Sequence, residues 1–273
     1  MNGWQALLLG LIQGLTEFLP VSSSGHLTIG REILGIEASG DLVFEVAVHA
    51  ATVLATIVVF RKEIWRLICG LFKFQYNDET DYILKICLSM IPVLLVGLFL
   101  KDKVEGLFAS LLTVGLALVV TAMLLFFSDI FTRKQAKAEA VEAEPAVRNG
   151  ISWWQALVIG IGQAFAVIPG LSRSGTTIST GLLCGVKRER VAQFSFLMVL
   201  VPILGEAFLD VVGGDAAASS IGALPLLIGF LAAFVSGLFA CKLMIALVKK
   251  AKLSWFALYC AIVGLLVILY TMF

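Results

Sequence analysis

The stretch QGLTEFLPVSSSGHL, residues Gln13–Leu27, decides the fold. It places a carboxylate, three consecutive hydroxyl groups and an imidazole inside an otherwise apolar N-terminal segment. Pro20 disfavours helical geometry at the preceding residue, Leu19, so a helix that begins near Trp4 should end there. The stretch therefore predicts two short helices joined by a polar break, and not one continuous membrane-spanning helix.

The composition of the chain indicates an integral membrane protein. Of its 273 residues, 60% are hydrophobic and only 14% are charged, and the mean hydropathy is +1.00. A soluble domain of this length does not bury that much apolar surface. The long apolar runs lack the alternation of strands, which favours a helical bundle over a barrel. The net charge of +1 gives no support to a nucleic-acid partner, and the first residues lack the basic start of a signal peptide, so we expect the first helix to be retained.

Six apolar segments are long enough to span a bilayer, which takes about 20 helical residues. They lie at 43–60, 83–100, 111–129, 193–212, 224–241 and 255–273. Two further apolar segments, 4–34 and 152–185, are interrupted by polar clusters. We expect these two to enter the membrane and to return to the same face.

The two halves of the chain repeat each other. Residues Trp4–Gly25 align without gaps on Trp154–Gly175 at an offset of 150, and the shared residues include a Trp-Gln pair and a Ser-x-Ser-Gly ending. The tripeptide GLF at 97–99 recurs at 237–239. We therefore predict an internal duplication. Its units are a first repeat at 1–131, a charged cytoplasmic linker at 132–150 and a second repeat at 151–273.

The charges indicate that the repeat is inverted. If both broken segments are re-entrant, three crossings per half turn the second copy upside down. One face then receives only Arg31, Lys101 and Lys103. The opposite face receives Arg61, Lys62, Arg66, Lys73, Arg133, Lys134, Lys137, Arg148, Lys187, Arg188, Arg190, Lys249, Lys250 and Lys252. The positive-inside rule makes the basic face cytoplasmic and places both termini outside.

The polar groups of the first break are suited to acid–base and nucleophilic chemistry. Glu17 lies one helical turn after Gln13, so both side chains face the same side of the first half-helix. The serines at Ser22–Ser24 offer N-caps for a second half-helix that begins near Gly25, with His26 in its first turn. Taken singly, each group also has a structural explanation as a cap or a buried polar partner. Membrane interiors seldom keep so many polar and ionisable groups together without a function.

The second break is suited to binding phosphate. It follows Pro169 and carries Ser172, Arg173, Ser174 and Thr177. The two half-helices should point their N-termini at each other near mid-membrane, where free N–H groups and positive dipole ends favour an anion. Burying an unpaired arginine costs at least about 2.5–3.5 kcal/mol, so Arg173 needs Glu17, an anionic ligand or both. A hydrolase needs both kinds of group, whereas a pure anion channel has no use for the carboxylate.

Two motifs resemble the bacterial undecaprenyl-diphosphate phosphatase family, also named for bacitracin resistance. QGLTEFLPVSSSGH fits (E/Q)xxxE followed by PVSS(S/T)GH, and PGLSRSGTT fits PGxSRSxxT. The resemblance runs along essentially the whole chain. It implies an enzyme of the bacterial cytoplasmic (inner) membrane that converts a polyprenyl diphosphate to the monophosphate and so recycles the lipid carrier of peptidoglycan synthesis. The prenyl tail would lie in an apolar groove between helices, among membrane lipids.

The resemblance also implies residue roles. The catalytic residues would be Glu17, Ser23, His26 and Arg173. The substrate-binding residues would be Gln13, Ser22, Ser24, Gly25, Ser172, Ser174 and Thr177. A divalent cation, Mg²⁺ or Ca²⁺, is implied as well, with Glu17 as its candidate ligand. Carboxylates are too few here for an all-protein cage, which suits a Mg²⁺ ion shared with substrate phosphates.

Several alternatives stay open at this point. Ser23 attacks the terminal phosphorus after losing its proton to Glu17 or His26, or a water activated by Glu17 attacks directly. A secondary transporter or lipid flippase would use the same inverted repeat and broken helices. Glu45 and His49 share one helix face and are either packing groups or partners of the site residues. A homodimer also stays open.

Overall fold

The predicted all-α architecture is confirmed. The structure is a computed structural model and describes residues 1–36, 42–107, 110–138, 148–213, 221–250 and 252–273. Every regular element in these ranges is helical. The first half contains α1 (Gly3–Phe18), α2 (Ser23–Ile33), α3 (Leu42–Leu71), α4 (Asp78–Phe99), α5 (Lys101–Leu107) and α6 (Leu111–Ala138). After a 3₁₀ turn at Arg148–Gly150, the second half contains α7 (Trp153–Phe165), α8 (Arg173–Leu183), α9 (Arg188–Gly213), α10 (Ala223–Lys250) and α11 (Ser254–Met272).

Five helices in the described part of the chain are long and apolar enough to cross a membrane. Their spanning stretches are Val43–Leu71, Asp78–Phe99, Leu111–Arg133, Ala223–Val248 and Ser254–Met272. The protein is therefore a multi-pass membrane protein. The sixth predicted span, 193–212, falls within α9, but the side chains from 206 onward lie outside the described residues. Its crossing stays a prediction.

Three helices continue nine or more residues past the predicted ends of their spans, among them α10, which runs to Lys250 and not to residue 241. The sequence places the end of the first span at residue 60, before Arg61, yet α3 runs on to Leu71. The guanidinium of Arg66 binds Glu63 at 2.6 Å and Glu79 at 2.7 Å, and these ion pairs hold the extra turns. Similarly, α6 extends to Ala138. The first part of the predicted linker is thus helical, and residues 139–147 lie outside the described ranges.

Both broken segments return to the end from which they start. Gln5 Nε2, at the start of α1, donates a hydrogen bond to the carbonyl oxygen of Leu34, just after α2, at 3.2 Å. In the second half, Gln155 Nε2 donates to the carbonyl oxygen of Cys184 at 2.9 Å. The two hydrogen bonds correspond at the offset of 150. This is the course that the re-entrant prediction requires.

The first helix of each half packs on a long helix of the other half: α1 packs on α10, and α7 packs on α4. Gly10 lies so close to Gly229, and Gly160 so close to Ser89, that a Cβ at either helix contact would collide with the neighbour's carbonyl oxygen. Gly10 and Gly160 correspond at the offset of 150. Ser89 and Gly229 correspond as well, because the same number of residues separates them as separates the two GLF tripeptides at 97–99 and 237–239. These matched contacts support the predicted repeat. Its domain limits and its inverted course in the bilayer stay predictions.

Polar clusters lie at the two ends of the bundle. At one end, Arg31 Nη1 pairs with Glu45 at 2.6 Å, which joins α2 to α3. At the other end, Asp129 of α6 accepts hydrogen bonds from Arg133 and Arg188 at 2.8 Å each. Ser254 also donates to this carboxylate at 3.0 Å, so one buried aspartate ties α6, α9 and α11 together.

A second buried ion pair ties α4 to the start of the second half. Lys85 Nζ lies 2.6 Å from Asp81 Oδ2, and both residues are at most 2% exposed. The ammonium group also donates to the carbonyl oxygen of Arg148 at 3.1 Å and lies over the ring of Trp153. Tyr76, in the loop before α4, donates to Asp81 at 2.8 Å. That hydrogen bond raises the pKa of the Tyr76 hydroxyl.

Candidate active site

The two breaks meet inside the bundle. We call the turn between the two half-helices of each broken segment its tip. Ser24 Oγ, on the first tip, accepts a hydrogen bond from the backbone N–H of Gly170 at 3.4 Å. Ser174 Oγ, on the second tip, donates one to the carbonyl oxygen of Leu19 at 3.1 Å. Ser24 and Ser174 are equivalent in the repeat, so each tip is held by the same serine of the other copy. The N-termini of α2 and α8 therefore lie together, as the sequence predicts.

Backbone sterics set where the half-helices end. α1 ends at Phe18, and Leu19 is extended, with φ −70° and ψ 144°, the conformation that the following Pro20 favours. α7 ends at Phe165, four residues before Pro169, so the break in the second copy begins earlier than the proline. Gly170 then adopts a φ of +88°, a left-handed conformation that glycine adopts without steric cost.

Serine caps start both returning helices. Ser22 Oγ accepts a hydrogen bond from Gly25 N at 3.2 Å, and Ser172 Oγ accepts one from Gly175 N at 3.1 Å. Because Ser22 is the cap, α2 begins at Ser23, two residues before the predicted start. Ser22 has a φ of +72°, which is uncommon for a residue with a side chain and stores strain at the tip. The two amides that precede the capped one in each helix, those of Ser23 and Ser24 in α2 and of Arg173 and Ser174 in α8, lie outside the intrahelical hydrogen bonds and can donate to a ligand.

Glu17 is bound from two sides. Its Oε2 accepts a 2.6 Å hydrogen bond from Ser23 Oγ and a 2.9 Å hydrogen bond from Gln13 Nε2. The short O–H···O⁻ contact places the carboxylate where it can take the hydroxyl proton. Gln13 is fully buried, and its hydrogen bond orients the Glu17 carboxylate from the same face of α1, as the one-turn spacing predicts. The other amide atom, Gln13 Oε1, is buried without a hydrogen-bond partner in the described part of the chain.

A cavity of about 40 Å³ lies between the two tips, and we name it the polar cavity. It is large enough to admit water. Its lining consists of Thr16, Glu17, Ser22, Ser23, Ser24, His49, Ala166, Leu171, Ser172, Arg173 and Ser174. The structure thus brings together three of the four predicted catalytic residues and most of the predicted substrate-binding ones.

Arg173 connects this cavity to a second one. The apolar cavity, about 20 Å³, is lined by Glu17, Phe18, Thr52, Val53, Thr56, Arg173, Ser174, Phe196, Val199, Leu200 and Ile203. Of the partners that the sequence allows for Arg173, Glu17 forms no ion pair with it. Within the described residues, the guanidinium of Arg173 has no hydrogen bond and no ion pair. It is therefore left for an anionic ligand.

His26 is not among the residues that line either cavity. Its Nδ1 lies 2.8 Å from the carbonyl oxygen of Ser22, which can only accept, so Nδ1 carries the proton. Its Nε2 lies 2.8 Å from the hydroxyl of Tyr259 on α11, and the two rings stack with centroids 5.5 Å apart. Both ring nitrogens are engaged. These contacts hold the tip of the first broken segment against α11, and the catalytic role of His26 stays a prediction.

Two other predicted residues act through the backbone. Thr177 is buried, and its hydroxyl donates to the carbonyl oxygen of Arg173 at 2.8 Å and contacts Ser195 Oγ at 2.5 Å. It supports the first turn of α8 and does not line the polar cavity. Gly25 donates its N–H to Ser22 Oγ, and it packs so closely on the second break that a Cβ here would lie 3.2 Å from the Cα of Gly170.

From the sequence, His49 is either a polar group in helix packing or a partner of the site residues. The structure places it on α3 in the lining of the polar cavity. The spacing of Glu45 and His49 indicated a shared helix face, and the direction in which that face points depends on how α3 packs.

Known proteins match this chain along its length. The family model described as bacitracin resistance protein BacA matches residues 6–266. A protein named undecaprenyl-diphosphatase from Bacteroides fragilis (strain ATCC 25285) is 54% identical over 272 residues, which cover 98% of both chains. Proteins of the same name from Parabacteroides distasonis and Methanobrevibacter smithii are 54% identical over 276 residues (100% of this chain, 99% of the relative) and 37% identical over 279 residues (96% and 95%). The chain therefore belongs to the family of the bacitracin resistance protein BacA.

Proposed function

We propose that this protein is an integral membrane phosphatase that hydrolyses undecaprenyl diphosphate to undecaprenyl phosphate and inorganic phosphate. It would thereby recycle the lipid carrier of peptidoglycan synthesis. Relatives at 54% identity over nearly the whole chain carry the name undecaprenyl-diphosphatase. The observation that carries the proposal is the 2.6 Å hydrogen bond from Ser23 to Glu17, in a cavity that also holds the unpaired Arg173. A nucleophile, a base and a phosphate-binding group are thus gathered in one place.

The two adjoining cavities fit the two parts of a prenyl diphosphate. The polar cavity presents hydroxyls and a guanidinium to the diphosphate. The apolar cavity presents Phe196, Val199, Leu200 and Ile203 of α9 to the start of the prenyl tail. Since Glu17 and Arg173 line both, the reacting phosphorus would lie at their junction.

The mechanism begins with attack by Ser23. Its Oγ forms a bond to the terminal phosphorus, the bond from that phosphorus to the bridging oxygen breaks, and prenyl monophosphate leaves. Glu17 takes the hydroxyl proton across the 2.6 Å hydrogen bond. Arg173 and the first-turn amides of α2 and α8 stabilise the negative charge on the transferring group. Water then hydrolyses the phosphoserine.

A divalent cation, Mg²⁺ or Ca²⁺, is part of this proposal. The described residues contain no group of three or more His, Cys, Asp or Glu side chains that could hold a metal by themselves. The carboxylate of Glu17 and the unpartnered amide oxygen of Gln13 are oxygen donors of the kind that hard cations prefer. These residues fit a cation that takes its remaining ligands from substrate phosphates and water. When bound, it would neutralise phosphate charge.

The orientation is proposed from the charge distribution. The face poor in Lys and Arg would lie outside the cytoplasmic membrane of a bacterium, together with both termini and the opening of the site. The first re-entrant segment, which carries Glu17 and Ser23, enters from that face. Diphosphate would then be hydrolysed on the outer side. A homodimer stays a prediction.

Phosphate release by the purified protein in detergent tests the proposal. We expect one inorganic phosphate for each undecaprenyl monophosphate formed, with loss of activity when divalent cations are chelated. A transporter or flippase would move the lipid in vesicles without releasing phosphate, and that result would contradict the proposal. Substrate labelled with ³²P in its terminal phosphate identifies the attacking group, because a Ser23 nucleophile retains the label after a rapid acid quench.

A further inference from the structure

His49 is the histidine that reaches the polar cavity. The chain contains two histidines, His26 and His49. The ring of His26 is held by Ser22 and Tyr259. The side chain of His49 projects from α3 into the lining that includes Glu17. No role in the reaction has been given to it so far.

The hydrogen bonding of His49 fixes which nitrogen faces a ligand. Nδ1 lies 2.8 Å from the carbonyl oxygen of Glu45, one turn earlier on α3. A carbonyl oxygen only accepts, so Nδ1 carries a proton, and Nε2 of the neutral ring carries a lone pair. Within the described residues, Nε2 has no hydrogen-bond partner of its own. It is the ring atom left for a molecule in the cavity.

The charged groups near His49 either pair with another residue or face the polar cavity without contacting the ring. The Glu45 carboxylate pairs with Arg31 at 2.6 Å, so only its backbone oxygen serves the histidine. Glu17 and Arg173 line the same cavity but form no hydrogen bond with the ring. The ring is thus oriented by its own helix and not by a group that the substrate would displace.

The proposed reaction has a place for a second base. Prenyl monophosphate leaves as an anion and takes no proton, so Glu17 can hold the proton of Ser23 until the second step and return it when Ser23 leaves. A separate base for the attacking water would then let both proton transfers occur in that step. The remaining titratable groups of the polar cavity are His49 and Arg173, and a guanidinium does not act as a base.

We propose that His49 is the catalytic base that activates the water in hydrolysis of the phosphoserine. This inference rests on the proposed function, in which Ser23 is the nucleophile. Nε2 takes a proton from water, the water oxygen forms a bond to phosphorus, and the bond from phosphorus to Ser23 Oγ breaks. Glu17 returns its proton to Ser23 Oγ. Inorganic phosphate leaves, and His49 releases its proton to solvent.

Rapid-quench kinetics of H49Q test this assignment, because glutamine keeps a polar side chain but accepts no proton at neutral pH. With substrate labelled in its terminal phosphate, we expect wild type to release monophosphate and inorganic phosphate at equal rates. H49Q should release one equivalent of prenyl monophosphate per enzyme at a near wild-type rate and then stall. Labelled phosphoserine should accumulate, and steady turnover should fall about 10²- to 10⁴-fold. T28A is the matched control, since this hydroxyl only bonds the carbonyl oxygen of Ser24, at 3.0 Å.

A second variant separates proton transfer from structure. Free imidazole should accelerate dephosphorylation of phosphoserine in H49A, because it restores the missing base without restoring the side chain. Unchanged turnover in H49Q would overturn the proposal, and so would a slow first step without accumulated phosphoserine. Wild-type protein that releases no phosphate at all would instead refute the proposed function, so the two failures are distinguishable.

Discussion

Ser23 Oγ donates a hydrogen bond of 2.6 Å to Glu17 Oε2 across the break between α1 and α2. The two residues belong to different helices and meet because Leu19 is extended and Ser22 caps the returning helix. A serine hydroxyl is a weak nucleophile until a base takes its proton. This contact supplies that base before any ligand binds.

Replacing Ser23 by alanine should reduce phosphate release at least about 100-fold, because the attacking oxygen is lost. The measurement is steady-state phosphate release by purified protein at matched expression. T28A, which removes a hydroxyl from the same helix outside the polar cavity, should stay near wild type. A loss of only a few-fold in S23A would show that Ser23 binds substrate and that water is the attacker.

Replacing Arg173 by lysine should lose most of the activity although the charge is kept. A lysine ammonium cannot reproduce the planar fork that binds two phosphate oxygens. Losing one charge-assisted hydrogen bond costs about 1.5–3 kcal/mol, or roughly 10- to 150-fold in kcat/KM. Near-normal kcat/KM in R173K, in protein that expresses and folds normally, would exclude the clamp.

His26 should behave as a positioning residue. Its Nδ1–H holds the carbonyl oxygen of Ser22, and an asparagine amide can place a donor close to the same point. H26N should therefore retain about three- to tenfold more activity than H26A, which is the range of one neutral hydrogen bond. Equal losses in both variants would instead point to proton transfer by the imidazole, because neither replacement can exchange a proton.

Local sterics made the breaks predictable from sequence. A helical conformation is disfavoured at the residue before Pro20, and the serines that follow are strong N-caps, so the sequence predicts both half-helices within a few residues. The one-turn spacing of Gln13 and Glu17 likewise predicted that they share one face of α1, where the structure joins them by a hydrogen bond of 2.9 Å. These features depend on neighbours along the chain.

The roles of the two histidines could not be predicted because they depend on distant partners. The hydroxyl that engages His26 belongs to Tyr259, 233 residues away on α11. His49 reaches the polar cavity only because α3 packs beside α1 and α9. The motif singled out His26 because it follows Ser23 by three residues, whereas the hydrogen bonding leaves His49 with the unpartnered imidazole nitrogen.

The buried pair of Lys85 and Asp81 should be important for stability and not for chemistry. Replacing Lys85 by methionine leaves the Asp81 carboxylate buried without its cation, and breaking such a pair costs about 3–5 kcal/mol. K85M should therefore unfold at a lower temperature in detergent. The double variant K85M/D81N should recover most of the loss, because the buried charge is gone while an oxygen remains for Tyr76.

Phosphate release per folded molecule should be unchanged in both variants, because neither residue lines the polar or the apolar cavity. Thermal stability in K85M equal to that of wild type would show that the pair contributes nothing net. A loss that persists in the double variant would assign the effect to packing against Trp153 and not to charge.

The last prediction concerns the side of the membrane from which the site is reached. The hydrogen bond of Gln5 to Leu34 closes the first broken segment at one end of the bundle, and Tyr270 donates to Glu32 at that same end, at 3.3 Å. The C-terminal end of α11 thus lies beside the entrance of the segment that carries Glu17. Whichever face holds the C-terminus therefore also holds that entrance.

Cysteine labelling decides which face this is. In a cysteine-free background, single cysteines at Lys103 and Phe273 should react with a membrane-impermeant maleimide added to intact spheroplasts. Cysteines at Gln75 and Lys252 should react only after lysis. All four side chains are exposed, so a missing reaction reports the membrane and not burial in the protein. The basic loops on the Gln75 side favour this orientation by about 1 kcal/mol per Lys or Arg near an anionic surface. The reverse labelling pattern would place the entrance of the site in the cytoplasm and overturn hydrolysis on the outer side.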